Sequence, residues 1–313
     1  MEGAAPSKLH LYSMKHLELL LGAPRAEIRD VASHAGRYYR PFNKEKKPRP
    51  FQKVPVPPKQ RQIDNPVGRL KTMQRRINRR ILGRVVFPEH ICAGVKGRNL
   101  LNNARIHLGN HDLVTLDIRN FFPSISNIQV NKVWREVLDC SPRIAAILTE
   151  LTTFERHLPQ GAPTSTLLAN LVLYSVDKDI RDECSRAGVR YSTWVDDLAL
   201  SGPGAKEIIG AVVVALSKNG FSVSHRKLRV MGPTDSKVLT GMMLGRRPSV
   251  TQERLSNLRS GIHKFRTGKV PKGSQVSYAK SLQGGILFVA SLVPSKAQKL
   301  RRDLDRCMAS IEL

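Results

Sequence analysis

Apolar residues recur along the chain at two different periods. Short, β-prone apolar runs at 113–118, 190–195 and 198–201 predict strands. Prolines crowd residues 41–61 and predict extended chain or loop there, because proline lacks the backbone N–H that a helix needs. Longer segments with apolar residues three and four positions apart predict amphipathic helices, at 9–40, 67–86, 165–183, 205–219 and 251–311.

Carboxylates interrupt the predicted strands. Asp117 lies near the end of the first strand, and Asp196 and Asp197 occupy the turn between the other two. Strands folded side by side would bring these carboxylates together, where like charges repel and raise one another's pKa. Mg²⁺ ions remove that cost and bind substrate phosphates as well. Two such ions about 4 Å apart activate an attacking hydroxyl and stabilise a leaving oxygen, which is nucleotidyl-transfer chemistry. The plain alternative is an Asp-Asp pair that only shapes a hairpin turn.

The charge of the chain favours a polyanionic partner such as nucleic acid. Its 313 residues carry a formal net charge of +27, and 41% of them are hydrophobic, enough for two or three lobes with their own cores. Residues 41–84 hold 14 lysines and arginines against two acidic residues. We interpret this segment as a surface that follows phosphates, the alternative being a solvated cationic face. The arginines expected to bind RNA there are Arg75, Arg76, Arg79 and Arg80.

Two further observations concern the cellular compartment. No apolar run reaches the length of a membrane span, and the N-terminus lacks a signal-peptide pattern. The cysteines are too far apart in sequence for a metal knuckle or a disulfide framework, so we expect buried thiols. We therefore expect a cytoplasmic protein without a membrane partner. The four cysteines are Cys92, Cys140, Cys184 and Cys307.

A turn-forming stretch lies between the two aspartate sites. Residues 158–165 read Leu-Pro-Gln-Gly-Ala-Pro-Thr-Ser and lead into a predicted helix, whose N-terminus offers backbone N–H groups to a phosphate or a base pair. The order of the Asp117 strand, the Gln-Gly-x-Pro-Thr-Ser helix and the Asp-Asp hairpin resembles motifs A, B and C of bacterial-type reverse transcriptases. Residues 59–66 and 70–75 resemble their fingers motifs, and Gly220-Phe221 followed by Lys227 resembles motif D. The resemblance covers roughly residues 35–245.

Two short motifs narrow the resemblance to retron reverse transcriptases. Asn103-Ala-Arg-Ile-His107 matches their Asn-Ala-x-x-His signature, and Leu239-Thr240-Gly241 stands where they carry Val-Thr-Gly. The chain departs from the pattern at two positions. Trp194 replaces the usual Tyr before x-Asp-Asp, and Thr166 replaces the Pro expected after Thr-Ser. Neither change removes a carboxylate, so we expect polymerase activity to be retained.

The resemblance implies an α+β fold, the right-hand polymerase fold, with an antiparallel palm sheet plus helices. Asp117, Asp196 and Asp197 would be the catalytic residues and would hold two Mg²⁺ ions. The implied domains are an N-terminal helical extension at 1–34, fingers at 35–105, a palm at 106–234 and a helical, RNA-binding thumb at 235–313.

The resemblance also implies roles for residues around the carboxylates. Phe122 falls where the family places a ring that excludes a ribose 2′-OH, although palm core is an equal possibility. Lys59 and Arg61 would meet the triphosphate of the incoming dNTP, or else grip the template. Gln160 would line the nascent pair, and Lys227 would protonate the leaving pyrophosphate unless it is only a surface lysine. Asn103 and His107 of the signature are expected to contact RNA, the alternative for His107 being a helix histidine whose hydrogen bonds are satisfied within the protein.

Retron enzymes recognise a structured noncoding RNA encoded beside them and prime from a 2′-OH within it. The resemblance therefore implies an RNA-directed DNA polymerase that makes branched multicopy single-stranded DNA, an RNA–DNA hybrid, with a nearby effector protein in anti-phage defence. One rival is a reverse transcriptase of the group II intron type, disfavoured because only about 70 residues follow Thr240-Gly241. The others are another phage-defence reverse transcriptase and a catalytically silent RNA-binding module.

Overall fold

The structure is a computed structural model that describes residues 5–45, 60–109 and 112–309. The chain divides into two units, Met1–Pro233 and Thr234–Leu313. Each unit has its own hydrophobic core of buried side chains. Helices and antiparallel sheets occur in both units, so the fold is of the mixed α+β class that the sequence predicts.

The helices of the first unit bury apolar stripes, and local signals mark several of their ends. Helix α1 (Met14–Leu21) begins after Ser13, whose hydroxyl accepts a hydrogen bond from the His16 N–H, and ends at Gly22, which has a left-handed φ of 56°. The other helices of this unit are α2 (Arg25–Ser33), α3 (Gly68–Arg80), α4 (Leu100–Ile106), α5 (Phe121–Ser124), α6 (Asn127–Lys132), α7 (Pro142–Thr152), α8 (Ser165–Val176), α9 (Lys178–Arg186) and α10 (Ile209–Lys218).

The strands of the first unit form two antiparallel sheets. One is a hairpin of β1 (Tyr39–Glu45) and β2 (Gln60–Pro66). The other has the order β4-β5-β3-β6, in which β3 (Leu113–Asp117) is an inner strand with four of its five residues buried. Such a position suits its apolar sequence. The remaining strands of this four-stranded sheet are β4 (Arg190–Trp194), β5 (Asp197–Ser201) and β6 (Arg229–Met231).

The second unit combines a small sheet with three helices. Strands β7 (Lys237–Leu239), β8 (Met242–Leu244) and β9 (Pro248–Val250) pair in that order. The turn between β7 and β8 consists of Thr240 and Gly241, both with positive φ, as a tight two-residue hairpin requires. The helices that follow are α11 (Gln252–Arg266), α12 (Gln275–Leu292) and α13 (Pro294–Ala309).

Most of the predicted segment 41–61 lies outside the described residues; the predicted strands and helices are present, but several predicted boundaries are wrong. The segment 9–40 holds two helices and a 3₁₀ turn, and its last residues already belong to β1. The segment 165–183 is divided between α8 and α9 at Asp177. The C-terminal region expected to be helical from 235 onwards begins with the sheet β7–β9.

Two compartment-related observations follow from the same structure. All four cysteines are free and buried, which confirms the expectation of core thiols. Across the described ranges, no helix combines the length and the apolar character needed to cross a bilayer.

Candidate active site

The four-stranded sheet brings the three predicted catalytic aspartates together. In the antiparallel pairing of β3 with β5, Asp117 stands directly opposite Asp197. The backbone N–H of Ile118 donates to the carbonyl of Asp196 at 2.9 Å, which holds the turn residue beside the end of β3. Asp117 is 6% exposed, and the other two aspartates are half-buried. The carboxylates therefore meet at one end of the sheet.

The turn that carries Asp196 is tight and strained. Trp194 pairs with Asp197, so only Val195 and Asp196 connect β4 to β5. Val195 has a φ of 60°, a region that a β-branched residue adopts only when the surrounding structure imposes it. The backbone at this site is thus held in one conformation at some cost.

The pKa values of Asp196 and Asp197 are both raised. Burial, followed by the charges of Asp196 and Asp117, raises the pKa of Asp197 to about 6. Burial is also the main cause of the raised pKa of Asp196, with the charge of Asp117 adding to it. An opposite charge nearby lowers both values, since the Lys227 ammonium forms an ion pair with Asp117. The cluster is therefore an electrostatically costly arrangement of negative charge.

Lys227 reaches the carboxylates because its segment is tied to β3. The Ser224 N–H donates to the carbonyl of Asp117 at 2.8 Å, and a short 3₁₀ helix at His225–Lys227 follows directly. The Lys227 side chain remains 44% exposed. The predicted motif D lysine thus lies at the carboxylate cluster and not on a remote surface.

The donor set suits a hard divalent cation, because carboxylate oxygens are the ligands that Mg²⁺ prefers. A cation would also favour the ionised forms of Asp196 and Asp197, whose pKa values are raised by burial and then by neighbouring negative charge. Within the described ranges, no group of three or more His, Cys, Asp or Glu side chains has the arrangement of a preformed metal site. In this structure the ammonium of Lys227 is the cation that pairs with Asp117.

A cavity of about 750 Å³ opens beside the carboxylates. Both basic and acidic side chains line it, which is the combination expected for a triphosphate and its counterions. Lys59, the other residue predicted to meet the triphosphate, lies outside the described residues. Predicted site residues that line the cavity are Arg61, Asp117, Phe122, Gln160, Asp196 and Lys227.

Phe122 lies at the boundary between this cavity and the core. Its ring is half-buried and packs against that of Phe121, with centroids 5.9 Å apart. Asn120, with a left-handed φ of 49°, makes the bend that directs the chain from β3 into α5. The ring therefore contributes both to the cavity wall and to the core of the first unit.

Gln160 is fixed through Asp64, which the sequence reasoning did not single out. The Asp64 N–H donates to the Gln160 carbonyl at 2.9 Å, and the Asp64 carboxylate accepts from the Gln160 N–H at 3.3 Å. His157 Nε2 lies 3.4 Å from the same carboxylate. Gly161, with a φ of 116°, allows the close approach, because a Cβ there would lie 2.8 Å from Ile63. The one sequence feature that could have indicated a role for Asp64 is that it is an acidic residue within the strongly basic segment 41–84.

The structure offers neither Asn103 nor His107 for direct contact with RNA. Asn103 is 1% exposed and His107 is 2% exposed. Their polar atoms bond instead to hydroxyls of Ser192 and Ser201 on β4 and β5, at 2.6 to 2.7 Å. As a correction to the expectation, the signature residues face the interior behind the aspartate hairpin.

The four arginines of α3 fall into two classes. Arg75 and Arg79 are exposed, as a phosphate-binding role requires. Arg76 donates to the carbonyls of Leu21 and Gly22, and Arg80 donates to that of Leu20 at 3.0 Å. These two guanidinium groups cap the C-terminus of α1, a structural role that the sequence pattern did not predict.

Comparison with known proteins finds one family model and several similar sequences. Residues 44–265 match the family model of reverse transcriptase (RNA-dependent DNA polymerase). The Retron Se72 reverse transcriptase of Salmonella heidelberg (strain 579083-10) is 29% identical over 189 residues, which cover 60% of this chain and 48% of that protein. The Retron Ec86 reverse transcriptase of Escherichia coli is 28% identical over 235 residues, or 74% and 72% of the two chains.

The matched region leaves part of these relatives uncovered. The chain spans about half the length of the Salmonella relative and almost three quarters of the Escherichia coli one. Among solved structures, a telomerase from Candida albicans in complex with a fragment of telomeric RNA covers 89% of this chain and 59% of its own. That likeness has 10% identity and a TM-score of 0.47, too low to support an inference.

Proposed function

The chain belongs to the reverse transcriptase (RNA-dependent DNA polymerase) family, and we propose that it synthesises DNA on an RNA template at its carboxylate cluster. The observation that carries this proposal is the pairing of Asp117 with Asp197, with Asp196 held beside them. A binding module has no use for three clustered negative charges on a chain of net charge +27. The cluster is consistent with nucleotidyl transfer.

Family membership implies dependence on a divalent metal ion, and we propose Mg²⁺. Asp117, Asp196 and Asp197 would hold it, as two ions, in place of the ammonium that now pairs with Asp117. Such ions activate the primer hydroxyl and stabilise the charge that develops on the leaving group. The raised pKa values of Asp196 and Asp197 support this assignment, because a bound cation offsets the burial and the repulsion of negative charge that cause them.

The remaining cavity residues are proposed to bind the dNTP and the primer–template. Arg61, and Lys59 outside the described residues, would neutralise the triphosphate, and Gln160 would contact the nascent pair. Phe122 would form the wall on the side of the sugar. Lys227 would donate a proton to the leaving pyrophosphate once its ion pair with Asp117 is broken.

We further propose a retron role. Several similar proteins are named as retron reverse transcriptases, and the Asn103–His107 signature agrees with that group. The template would be a cognate structured noncoding RNA, primed from one of its own 2′-hydroxyls. The product would be branched multicopy single-stranded DNA, made in the cytoplasm and used with an effector protein in anti-phage defence.

The experiment is to express the protein with its flanking DNA and to examine extracted nucleic acid for short DNA linked to RNA. An Asp196→Asn/Asp197→Asn variant should abolish the product. Asp182→Asn is the matched control, because Asp182 is an exposed carboxylate that pairs only with Lys178 among the contacts described for it. We expect a branched species in the wild type and in the control, and none in the double variant.

A second assay separates the parts of this proposal. The purified protein is given an RNA template, a DNA primer, dNTPs and Mg²⁺. Extension in this assay without branched DNA in cells would overturn the retron role and leave the polymerase standing. Absence of both products, with RNA binding intact, would identify a silent RNA-binding protein.

A further inference from the structure

A chain of buried hydrogen bonds runs behind the aspartate hairpin. His107 Nε2 lies 2.7 Å from the Ser192 hydroxyl, and His107 Nδ1 lies 2.7 Å from the Ser201 hydroxyl. The Ser192 hydroxyl in turn donates to the Asn103 side-chain carbonyl at 2.6 Å. All four residues are at most 2% exposed. The network thus joins α4 and the residue that follows it to two strands of the central sheet.

The proton positions in this network follow from the donors available. Ser192 has one hydroxyl hydrogen, and it is used on Asn103, so Ser192 must accept a hydrogen bond from His107 Nε2–H. A neutral imidazole then has Nδ1 free to accept from Ser201. Burial and the nearby charge of Arg190 keep the ring neutral by lowering its pKa to about 3. Each of these three hydrogen bonds therefore has a defined donor and a defined acceptor.

The two serines lie on the strands that flank the catalytic turn. Ser192 lies on β4 and pairs with Ala199, and Ser201 lies two residues further along β5. Their side chains thus occupy the same face of the two strands, where one imidazole reaches both. Arg190 adds a second tie, because its guanidinium donates to the carbonyls of Ile106 and Leu108, on either side of His107, at 3.1 Å.

Such a network favours one register of the hairpin over its alternatives. A buried hydrogen-bonded group adds little net stability over an apolar group of the same shape, but an unpaired one is costly. Any shift of β4 against β5, or of the hairpin against α4, would separate donors from acceptors that water cannot replace. The network is therefore suited to hold Asp196 and Asp197 in place opposite Asp117. This effect on the register of the hairpin comes in addition to its contribution to the stability of the fold.

We propose that His107, acting through Ser192 and Ser201 and supported by Asn103, is a positioning residue for the aspartate hairpin of the polymerase site. The inference rests on the proposed function, since it concerns the same carboxylates. It gives the Asn-Ala-x-x-His signature a role inside the protein. None of these four side chains touches the cavity or the reacting groups, and the effect on the chemistry passes through the hairpin.

The test compares network variants with a matched control in primer extension. Ser192→Ala removes one buried hydroxyl, and His107→Ala removes the bridge. Thr152→Val removes a hydroxyl that is equally buried but donates to the Leu148 carbonyl within α7. With each variant assayed well below its unfolding temperature, we expect kcat to fall on the order of 10- to 100-fold in the network variants, with KM for RNA unchanged. The control should keep the wild-type kcat.

Two comparisons among the variants sharpen this test. If His107 and Ser192 act as one unit, the double variant should be no slower than His107→Ala alone. His107→Gln should recover part of the activity, because its amide can donate to Ser192 where an alanine cannot. Additive losses, or a His107→Ala enzyme with the wild-type kcat, would overturn the proposal.

A readout independent of activity comes from the two tryptophans of the chain. Trp134 is fully buried, whereas Trp194 is the hairpin residue that pairs with Asp197. We expect acrylamide to quench fluorescence more strongly in the network variants than in the wild type, and equally in Thr152→Val and the wild type. Unchanged quenching in a folded His107→Ala protein would refute the positioning role. An inactive wild type with the expected quenching pattern would instead count against the polymerase proposal alone.

Discussion

The imidazole of His107 stays neutral in the folded protein, because burial and then the Arg190 guanidinium lower its pKa from 6.5 to about 3. The unfolded chain therefore binds a proton at mildly acidic pH that the folded chain does not. By linkage, stability falls as the pH decreases from about 6.5 towards 3, and it is unaffected above that window. At pH 5 this single group costs about 2 kcal/mol relative to pH 7.5.

This linkage predicts the outcome of urea unfolding at pH 7.5 and pH 5.0. The wild type should lose about 2 kcal/mol more between the two pH values than His107→Gln, in which the titrating group is absent. The comparison holds even if the substitution is destabilising overall, because only the change with pH is compared. Equal pH dependence of the two proteins would show that His107 titrates normally.

For single residues, the sequence predicts the candidate catalytic groups better than it predicts which side chains are buried. Asp117 and Asp197 interrupt apolar runs, so their meeting at a strand end follows from periodicity, and the register of β3 with β5 agrees. His107 stands in an equally specific motif, yet nothing in its spacing says whether the ring faces RNA or the interior. The two serine hydroxyls that bond to it are 85 and 94 residues away in sequence, a separation that local sequence patterns do not reveal.

At the scale of elements, α8 and α9 show why predicted boundaries fail. Their apolar positions continue in one helical period through Asp177, so the pattern predicts a single helix. The buried Asp177 carboxylate instead accepts from Arg181 at 2.7 Å and lies 3.2 Å from His90. A tertiary contact thus fixes the break, and the His90 ring that makes it comes from a segment 87 residues earlier.

Two arginines of helix α3 cap the end of α1, and two others are exposed to solvent. This difference permits a paired experiment. Arg76→Ala and Arg80→Ala should each lower the free energy of unfolding by about 1 to 2 kcal/mol, because each removes a charged donor from the last carbonyls of α1. Arg75→Ala and Arg79→Ala lie on the exposed face and should change stability by less than about 0.5 kcal/mol.

The reverse ranking is expected for RNA affinity. If the exposed face follows phosphates, Arg75→Ala and Arg79→Ala should weaken binding more than the capping substitutions do. Urea unfolding and fluorescence anisotropy with a labelled RNA hairpin measure the two quantities on the same four proteins. Equal loss of affinity in all four variants would mean that α3 contributes only its net positive charge to RNA binding, and no contacts of individual arginines with phosphates.

At the scale of the whole molecule, both units share the excess of positive charge. The first unit holds 37 basic and 20 acidic residues, and the second holds 15 and 5. The composition alone therefore predicts a polyanionic partner. The composition does not predict which arginines cap helices. That depends on contacts between segments such as α1 and α3, which form only in the folded chain.

Binding to RNA should accordingly depend steeply on salt. A protein that neutralises six to ten phosphates releases that number of counterions, which lowers affinity by roughly 10³ to 10⁵ between 50 and 200 mM salt on a duplex. We expect a loss near the lower end of this range for a structured RNA, measured by anisotropy titration at four salt concentrations. KM for dNTP should change far less, because a dNTP carries few phosphates to the cavity beside Asp117. A shallow slope for RNA would mean that most of the positive charge faces away from the nucleic acid.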